Sequence, residues 1–528
     1  MRTLIENGTV VDGTGSPAFR GAVVVDGDCI AEVAKGDLPP SGKAGFDMVV
    51  DASGKLVTPG FIDAHSHSDA YLVVEPDAPS KLSQGITTEI NGQCGGSTAP
   101  RYGEARLSGD WASVLGDRLS WRSLAEYREV LAAAHPSINT VQFVGHNTLR
   151  SSVVGYGGRA CTTDELKAMR DLLSRELDDG GWGLTTGLIY QPGKYSTPEE
   201  VVALAKTAAG RGGMYATHMR SEGDRILEAI DEVVGLVKAT GIRAEISHLK
   251  TSGRRNWGKI DAVLDKMQRA VDAGLLLGSD RYPFCAAGTD LDVVFPDWAG
   301  EGGVPAELER LRSPQLRARI IAEIDAQERD WSEVMVGGVW HADNKDYPGR
   351  TIAEILSSQP TTPDGKDSTP GELVCRMLER DLCRTGAFFF GMSEENLGKI
   401  YSMPWIVPGS DASLRAPWGP LGNDHPHPRA YGTMPEFYRR VSPSGREAAI
   451  ARMTSVPARR FGIKRRGVLE AGAFADIAVW SEPEFRNTAT YAKSHSFCSG
   501  MDKVFVNGAL AYDCGRFTHS GTGRFIDR

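Results

Sequence analysis

An apolar segment of strand length that ends in two histidines one residue apart, Leu56-Val57-Thr58-Pro59-Gly60-Phe61-Ile62-Asp63-Ala64-His65-Ser66-His67, restricts this chain more than any other feature. In a strand, side chains at i and i+2 share a face, so both imidazoles can converge on one ion. Ligands at the C-terminal end of a parallel strand stand where barrel folds keep their chemistry. The Pro59-Gly60 turn enters the strand, and Asp63 is placed to orient a ligand from behind. A lone HxH is a short signal, so the reading depends on further ligands in similar settings.

Four such residues follow. Cys94 ends Thr87-Thr88-Glu89-Ile90-Asn91 in a Gly-rich turn. A thiolate can bridge two divalent cations, and an adjacent metal keeps it deprotonated. A buried core cysteine is the competing reading of that residue alone. His218 closes Gly213-Met214-Tyr215-Ala216-Thr217, and His248 closes Arg243-Ala244-Glu245-Ile246-Ser247. Asp411 follows Trp405-Ile406-Val407-Pro408-Gly409-Ser410. A carboxylate there can touch a metal and accept a proton from bound water. With all six residues at expected strand ends, a metal centre is the better reading. Of the other histidines, His425 and His427 are separated and followed by prolines that forbid a regular central strand, so they belong to a loop near the mouth. His146 sits at a strand end and could line the pocket; His135, His341, His495 and His519 have no such context.

The chain's organisation supplies the frame. Strand-like runs at 140–146, 183–188, 213–218 and 243–248 alternate with helical periodicity at 163–177, 198–210 and 226–240. Repeated β-then-α units over residues 58–455 predict an α/β fold, a (β/α)8 TIM-like barrel, with an open doubly wound sheet as the alternative. No GxGxxG turn follows a strand to support that alternative. Residues 1–57 and 456–528 read as short strands with Asn-Gly and Asp-Gly hairpin signals, and neither end carries enough apolar surface to fold alone. The expectation is one small composite β-sandwich built from both termini. Residues about 292–400 are rich in Pro, Gly and Ser, and read as helices and loops inserted over the barrel mouth, like a lid.

Composition excludes several classes. A net charge of -9 spread along 528 residues argues against nucleic-acid and acidic-membrane partners. The N-terminal residues lack a signal-peptide pattern, and no apolar run reaches membrane-spanning length, so a cytoplasmic protein is expected. The eight scattered cysteines form no CxxC and read as free thiols. No coiled coil marks an oligomer, although the terminal β-domain could pair subunits into a homo-oligomer.

The GFIDAHSH opening, the split β-segments and Leu469-Glu470-Ala471-Gly472-Ala473-Phe474-Ala475-Asp476 resemble the amidohydrolase superfamily. Within it, NGQCGG, GLIYQPGKYST, YATHMRSEG, ISHLK, RYPF, GSDA and HPRAYGT are similar to the D-aminoacylases, or N-acyl-D-amino-acid deacylases. The resemblance implies that His65, His67 and Asp411 hold one metal and Cys94, His218 and His248 the other. It further implies zinc as the metal, tighter on the cysteine side and weaker at a second position. Lys250 and Tyr282 would hold the substrate carboxylate, Tyr190 would stand beside the scissile amide, and Arg220 and Thr289 complete the implied substrate contacts. The chain departs from relatives at Cys285-Ala286-Ala287-Gly288-Thr289, where a Gly-Ser-Thr run is common, and in a longer stretch before Asp411.

The implied activity is zinc-dependent hydrolysis of the amide bond of small-molecule N-acyl-D-amino acids, with Asp411 as the proton carrier. Three alternatives stand beside it. A cyclic-amide hydrolase would use a carboxylated lysine where this chain offers Cys94. A hydrolase of another linear amide is left open by the altered loop. A non-catalytic binding protein would have lost ligands, and none is missing.

Overall fold

The computed structural model describes residues 1–36, 45–107, 109–359, 361 and 368–528. At its centre stand eight parallel strands. In chain order they are Phe61–Asp63, Ile86–Asn91, the interrupted strand Asn139–Gln142 with Val144–Gly145, Gly183–Gly187, Met214–His218, Ala244–Ile246, Leu277–Arg281 and Ile406–Pro408. Consecutive members pair in parallel. Phe143 N donates to Asn91 O at 3.0 Å and joins the halves of the third strand. The ring closes where Ala64 N donates to Pro408 O at 3.2 Å and Ser66 bridges Ala412. This is the expected barrel, and the strands are buried throughout because helices cover the outside.

Local chemistry sets the helices. Thr162 and Glu165 form a capping box before Thr163–Asp178, whose Met169, Leu172, Leu173 and Leu177 face inward. Thr197 caps Pro198–Gly210, which has proline in its first turn. Ile226–Thr240 stops at Gly241 with φ +67°.

Strands from both chain ends pair into one nine-stranded sheet. Leu56–Pro59 joins the two ends, parallel to Arg2–Val10 and antiparallel to Ile477–Trp480. Ile5, Val23, Val25, Val57, Val479 and Phe505 fill one core of this sheet, while Leu4, Ala22 and Val24 form another. Gly60 then turns the chain from this sheet into the first barrel strand; a Cβ there would stand under 3.0 Å from Thr87. The C-terminal tail returns to the barrel, with Thr140 N donating to Arg524 O at 2.9 Å and Ile526 N to Thr140 O at 2.8 Å.

The insert differs from its expectation. Besides helices it holds two strands, Gly386–Phe389 and Val334–Val336, which join Ala287–Asp290 just before it in a three-stranded antiparallel sheet. Its own core includes Leu291, Val336, Ile352, Leu373, Met377 and Leu378. These strands are three or four residues long, and Ala-Gly-Thr-Asp reads as a turn, so period-2 patterning has nothing to register. The insert touches barrel loops through Gly253 N to Gly391 O at 2.9 Å and Lys194 to Asp297 at 3.0 Å. Part of the expected insert, 360 and 362–367, lies outside the described residues. All eight cysteines are free, and no described helix is long and apolar enough to cross a membrane.

Candidate metal centre

The first barrel strand ends at Asp63, so His65 and His67 lie just beyond it. Their shared face survives because Ser66 remains tied between neighbours, its N–H donating to Ile90 O at 2.9 Å and its backbone bridging Ala412. The two ring centroids are 5.2 Å apart. Asp411 Oδ1 lies 3.3 Å from His65 Nε2 and 3.1 Å from His67 Nε2. Cys94 Sγ lies 3.4 Å from His65 Nε2 and 3.3 Å from His248 Nε2. The His218 ring stands 4.5 Å from that of His248. Two donor groups result, His65/His67/Cys94/Asp411 and Cys94/His218/His248, each with ligand atoms within 4.8 Å of one another. Cys94 belongs to both.

These spacings suit a metal. Zinc bonds of about 2.1 Å to nitrogen and 2.3 Å to sulfur, set tetrahedrally, put two ligands roughly 3.4–3.6 Å apart. Both ring nitrogens of His218 are buried without a hydrogen-bond partner, although Nε2 is 3.5 Å from Glu222 Oε2. Charge points the same way. Burial opposes a thiolate at Cys94, yet the His65 and His248 charges outweigh it and hold the thiol well below its usual range. Burial likewise opposes ionised Asp411, but Arg429 and then His248 hold its carboxyl well below the usual value. Burial and Lys250 disfavour protonation of His248, while Glu222, Asp411 and Cys94 raise it to about 10. His65, His67 and His248 are drawn toward cations by anionic neighbours, and a bound divalent cation would supply that positive charge instead.

The backbone is constrained to make this cluster. Cys94, His248 and Asp411 adopt φ of +53°, +37° and +50°, the left-handed region that side chains with a Cβ rarely enter. Such conformations persist only where surrounding bonds over-determine them. Asp63 Oδ1 accepts Ser410 N at 2.8 Å and His65 N at 3.3 Å, which ties the first and last strand ends together. Asp280 Oδ2 faces His65 Nδ1 at 3.2 Å, and its Oδ1 accepts His248 N at 2.9 Å. Fully buried Lys81 bonds Asp63 Oδ2 at 2.7 Å, Ala412 O at 2.9 Å, Ser66 Oγ at 3.0 Å and Ser410 Oγ at 3.1 Å.

The expected substrate contacts divide. Tyr190 packs its ring 5.0 Å from His218, and its phenol lies toward Thr289. Burial, then the charges of Cys94 and Asp411, keep its phenol well above the usual value, so it remains a donor. Tyr282 lies 6.5 Å from the His248 ring, its buried hydroxyl without a partner. Burial opposes its ionisation, but Lys250, Arg281 and Arg429 outweigh that and lower its pKa. Lys250 reaches the site but is engaged, with Nζ 2.5 Å from Glu222 Oε1 and 2.7 Å from His248 Nδ1. Arg220 is not brought to the cluster. Its guanidinium pairs with Glu232 at 3.0 Å on the neighbouring helix, because its side chain leaves the barrel instead of entering the mouth. His146 is also turned away, buried against Glu200 at 2.8 Å. His427 is structural: it is buried among Tyr282, Phe284, Phe388 and Tyr491, with Nε2 3.0 Å from Ala286 O.

Four residues were missed by the sequence reading. Asp280, at a barrel strand end, carried the same signal as the ligands and could have been found. Arg429, whose Nη1 is 2.8 Å from Asp411 Oδ2, sat in the HPRAYGT motif. Glu222, four residues after His218, was visible only as a polar loop residue. Lys81 had no signal at all, since lysine reads as surface.

The model of the amidohydrolase family matches residues 48–512. N-acyl-D-glutamate deacylase of Alcaligenes xylosoxydans xylosoxydans is 32% identical over 533 residues, covering 99% of this chain and 96% of the relative. The solved N-acyl-D-glutamate deacylase of Bordetella bronchiseptica, complexed with zinc and a phosphonate mimic of the tetrahedral intermediate, is 31% identical with a TM-score of 0.81. The two share 100% of this chain and 99% of that one. A D-aminoacylase with a binuclear metal centre, activated by one metal and attenuated by a second, superimposes with a TM-score of 0.82 at 29% identity, over 100% of this chain and 99% of its own. This chain belongs to the amidohydrolase family.

Proposed function

We propose that the protein is a zinc-dependent deacylase that hydrolyses the amide bond of N-acyl-D-amino acids. The observation that carries this is Cys94 standing between two donor groups at one barrel mouth, with Asp411 facing both His65 and His67. His65, His67 and Asp411 would hold one ion, and Cys94, His218 and His248 the tighter one. Zinc bound there supplies Lewis acidity and lowers the pKa of water from 15.7 to about 7. Asp411 Oδ1 accepts the proton lost as water's oxygen bonds the amide carbon. It returns that proton to the amide nitrogen as the C–N bond breaks, because an unprotonated amine leaves poorly. Arg429 fixes the other carboxylate oxygen, so the proton is handled at one atom.

The protonated Tyr190 phenol donates toward the carbonyl oxygen as negative charge develops. Lys250 and Tyr282 receive the substrate carboxylate; Lys250 exchanges part of its contact with Glu222 for that anion. The D preference rests on the likeness to deacylases of D-amino acids.

Amine release from N-acetyl-D-methionine and N-acetyl-L-methionine by zinc-replete protein tests the proposal. Release from the D substrate alone supports it. No release from either, with zinc bound, removes the substrate assignment and shifts attention to another linear amide.

A further inference from the structure

Asn147 lies in the first turn of the barrel helix His146–Val153 and is not among the proposed metal ligands or substrate contacts. Its backbone N–H donates to Gly95 O at 2.8 Å, the carbonyl just after Cys94. Its side-chain amide donates to Gly187 O at 3.3 Å and to Tyr190 O at 3.4 Å. One residue therefore holds both the turn that carries the thiol and the turn that carries the phenol. We propose that Asn147 is a positioning residue that fixes Cys94 and Tyr190 relative to each other, a role that rests on the deacylase reading for its catalytic consequence.

Three glycines on separate segments independently mark this junction. A Cβ on Gly95 or Gly193 would stand under 3.0 Å from Asn147 Oδ1, and one on Gly187 under 3.0 Å from Cys94 O. Only Gly95 of the three has a positive φ, +76°. Gly187 and Gly193 are therefore required for close approach and not for backbone conformation. The fixed geometry matters because Tyr190 must donate to a carbonyl oxygen whose position is set by the Cys94 side of the cluster, and a misplaced donor loses most of its effect.

The test uses the full chain loaded with zinc for kinetics and with Co2+ for the thiolate-to-metal absorption band. For Asn147→Ala, kcat should fall about 10- to 100-fold while KM changes by less than about threefold. The backbone bond from Asn147 N to Gly95 O survives in this variant, so the expected shift of the cobalt band reports the lost packing of Oδ1 against Gly95 beside the thiol. Gly193→Ala leaves the amide in place but crowds Oδ1, and should reproduce the loss of kcat. Combined with Asn147→Ala, its added effect should shrink, because the crowded atom is gone. Wild-type kcat and an unshifted cobalt band in folded Asn147→Ala would overturn the proposal, as would additive losses in the double variant. If the wild-type protein released no amine from any N-acyl-D-amino acid, the deacylase reading would fail. The cobalt band of Asn147→Ala would then still decide whether the Asn147 side chain helps hold the Cys94 turn.

Discussion

Replacing Lys81 with methionine removes the one cation from a fully buried anionic group. Lys81, Asp63 and Glu89 are all 0% exposed, and Lys81 Nζ lies 2.7 Å from Asp63 Oδ2 and 3.6 Å from Glu89 Oε2. Breaking a buried pair by deleting one partner costs about 3–5 kcal/mol, because the other charge stays buried and uncompensated. That is a large share of a net stability of roughly 5–15 kcal/mol. Removing both charges with Asp63→Asn and Lys81→Met should recover part of the loss, since only Glu89 is then left buried without its cation. The two single losses should therefore exceed the double loss by about 2–3 kcal/mol in a double-mutant cycle. The assay is urea unfolding of the four proteins with chelator present, so that metal binding does not add to folding. Losses that simply add, with coupling below about 0.5 kcal/mol, would refute the reasoning.

Two further predictions concern other parts of the fold. Glu176 is buried, accepts Leu124 N at 2.8 Å, and is pushed up to about 7 by that burial. Because its folded value lies above the unfolded one, stability should fall as pH rises from about 4.5 to about 7, by about 3 kcal/mol at most, and then level off. Glu176→Gln should flatten that slope in unfolding curves at pH 5 and 8; an unchanged slope would dismiss Glu176 as its source. Deleting residues 523–528 removes two backbone hydrogen bonds to Thr140 and the packing of Ile526 beneath the barrel. A loss of about 3 kcal/mol is expected. A truncated chain with an unchanged melting temperature would contradict that bracing role.

Legibility followed physical directness. The six ligand candidates could be read because each ends an apolar run, and strand ends of a parallel barrel converge on one mouth. Asp411, after a strand of only Ile406–Pro408, could be placed at the mouth because Pro408-Gly409 marked the turn, and it lies beside His65 and His67. Arg220, expected at the site only from the resemblance, instead pairs with Glu232, because a motif does not fix which way a loop side chain turns. Lys81 acts through Asp63, Ser66, Ser410 and Ala412, partners 15 to 331 positions away in the chain, and no local pattern encodes such contacts. The insert's strands were hidden because they owe their formation to each other and to the core around Leu373 and Met377, not to their own composition.

The most direct test of the account is the paired zinc content and amine release of Asp411→Asn. Asparagine keeps the shape but cannot carry the proton, and the Cys94, His218 and His248 donors are untouched. The account predicts zinc retained on the cysteine side with turnover nearly abolished on an N-acyl-D-amino acid that the wild-type protein cleaves. Full turnover by Asp411→Asn would contradict it, because the proton would then be carried elsewhere.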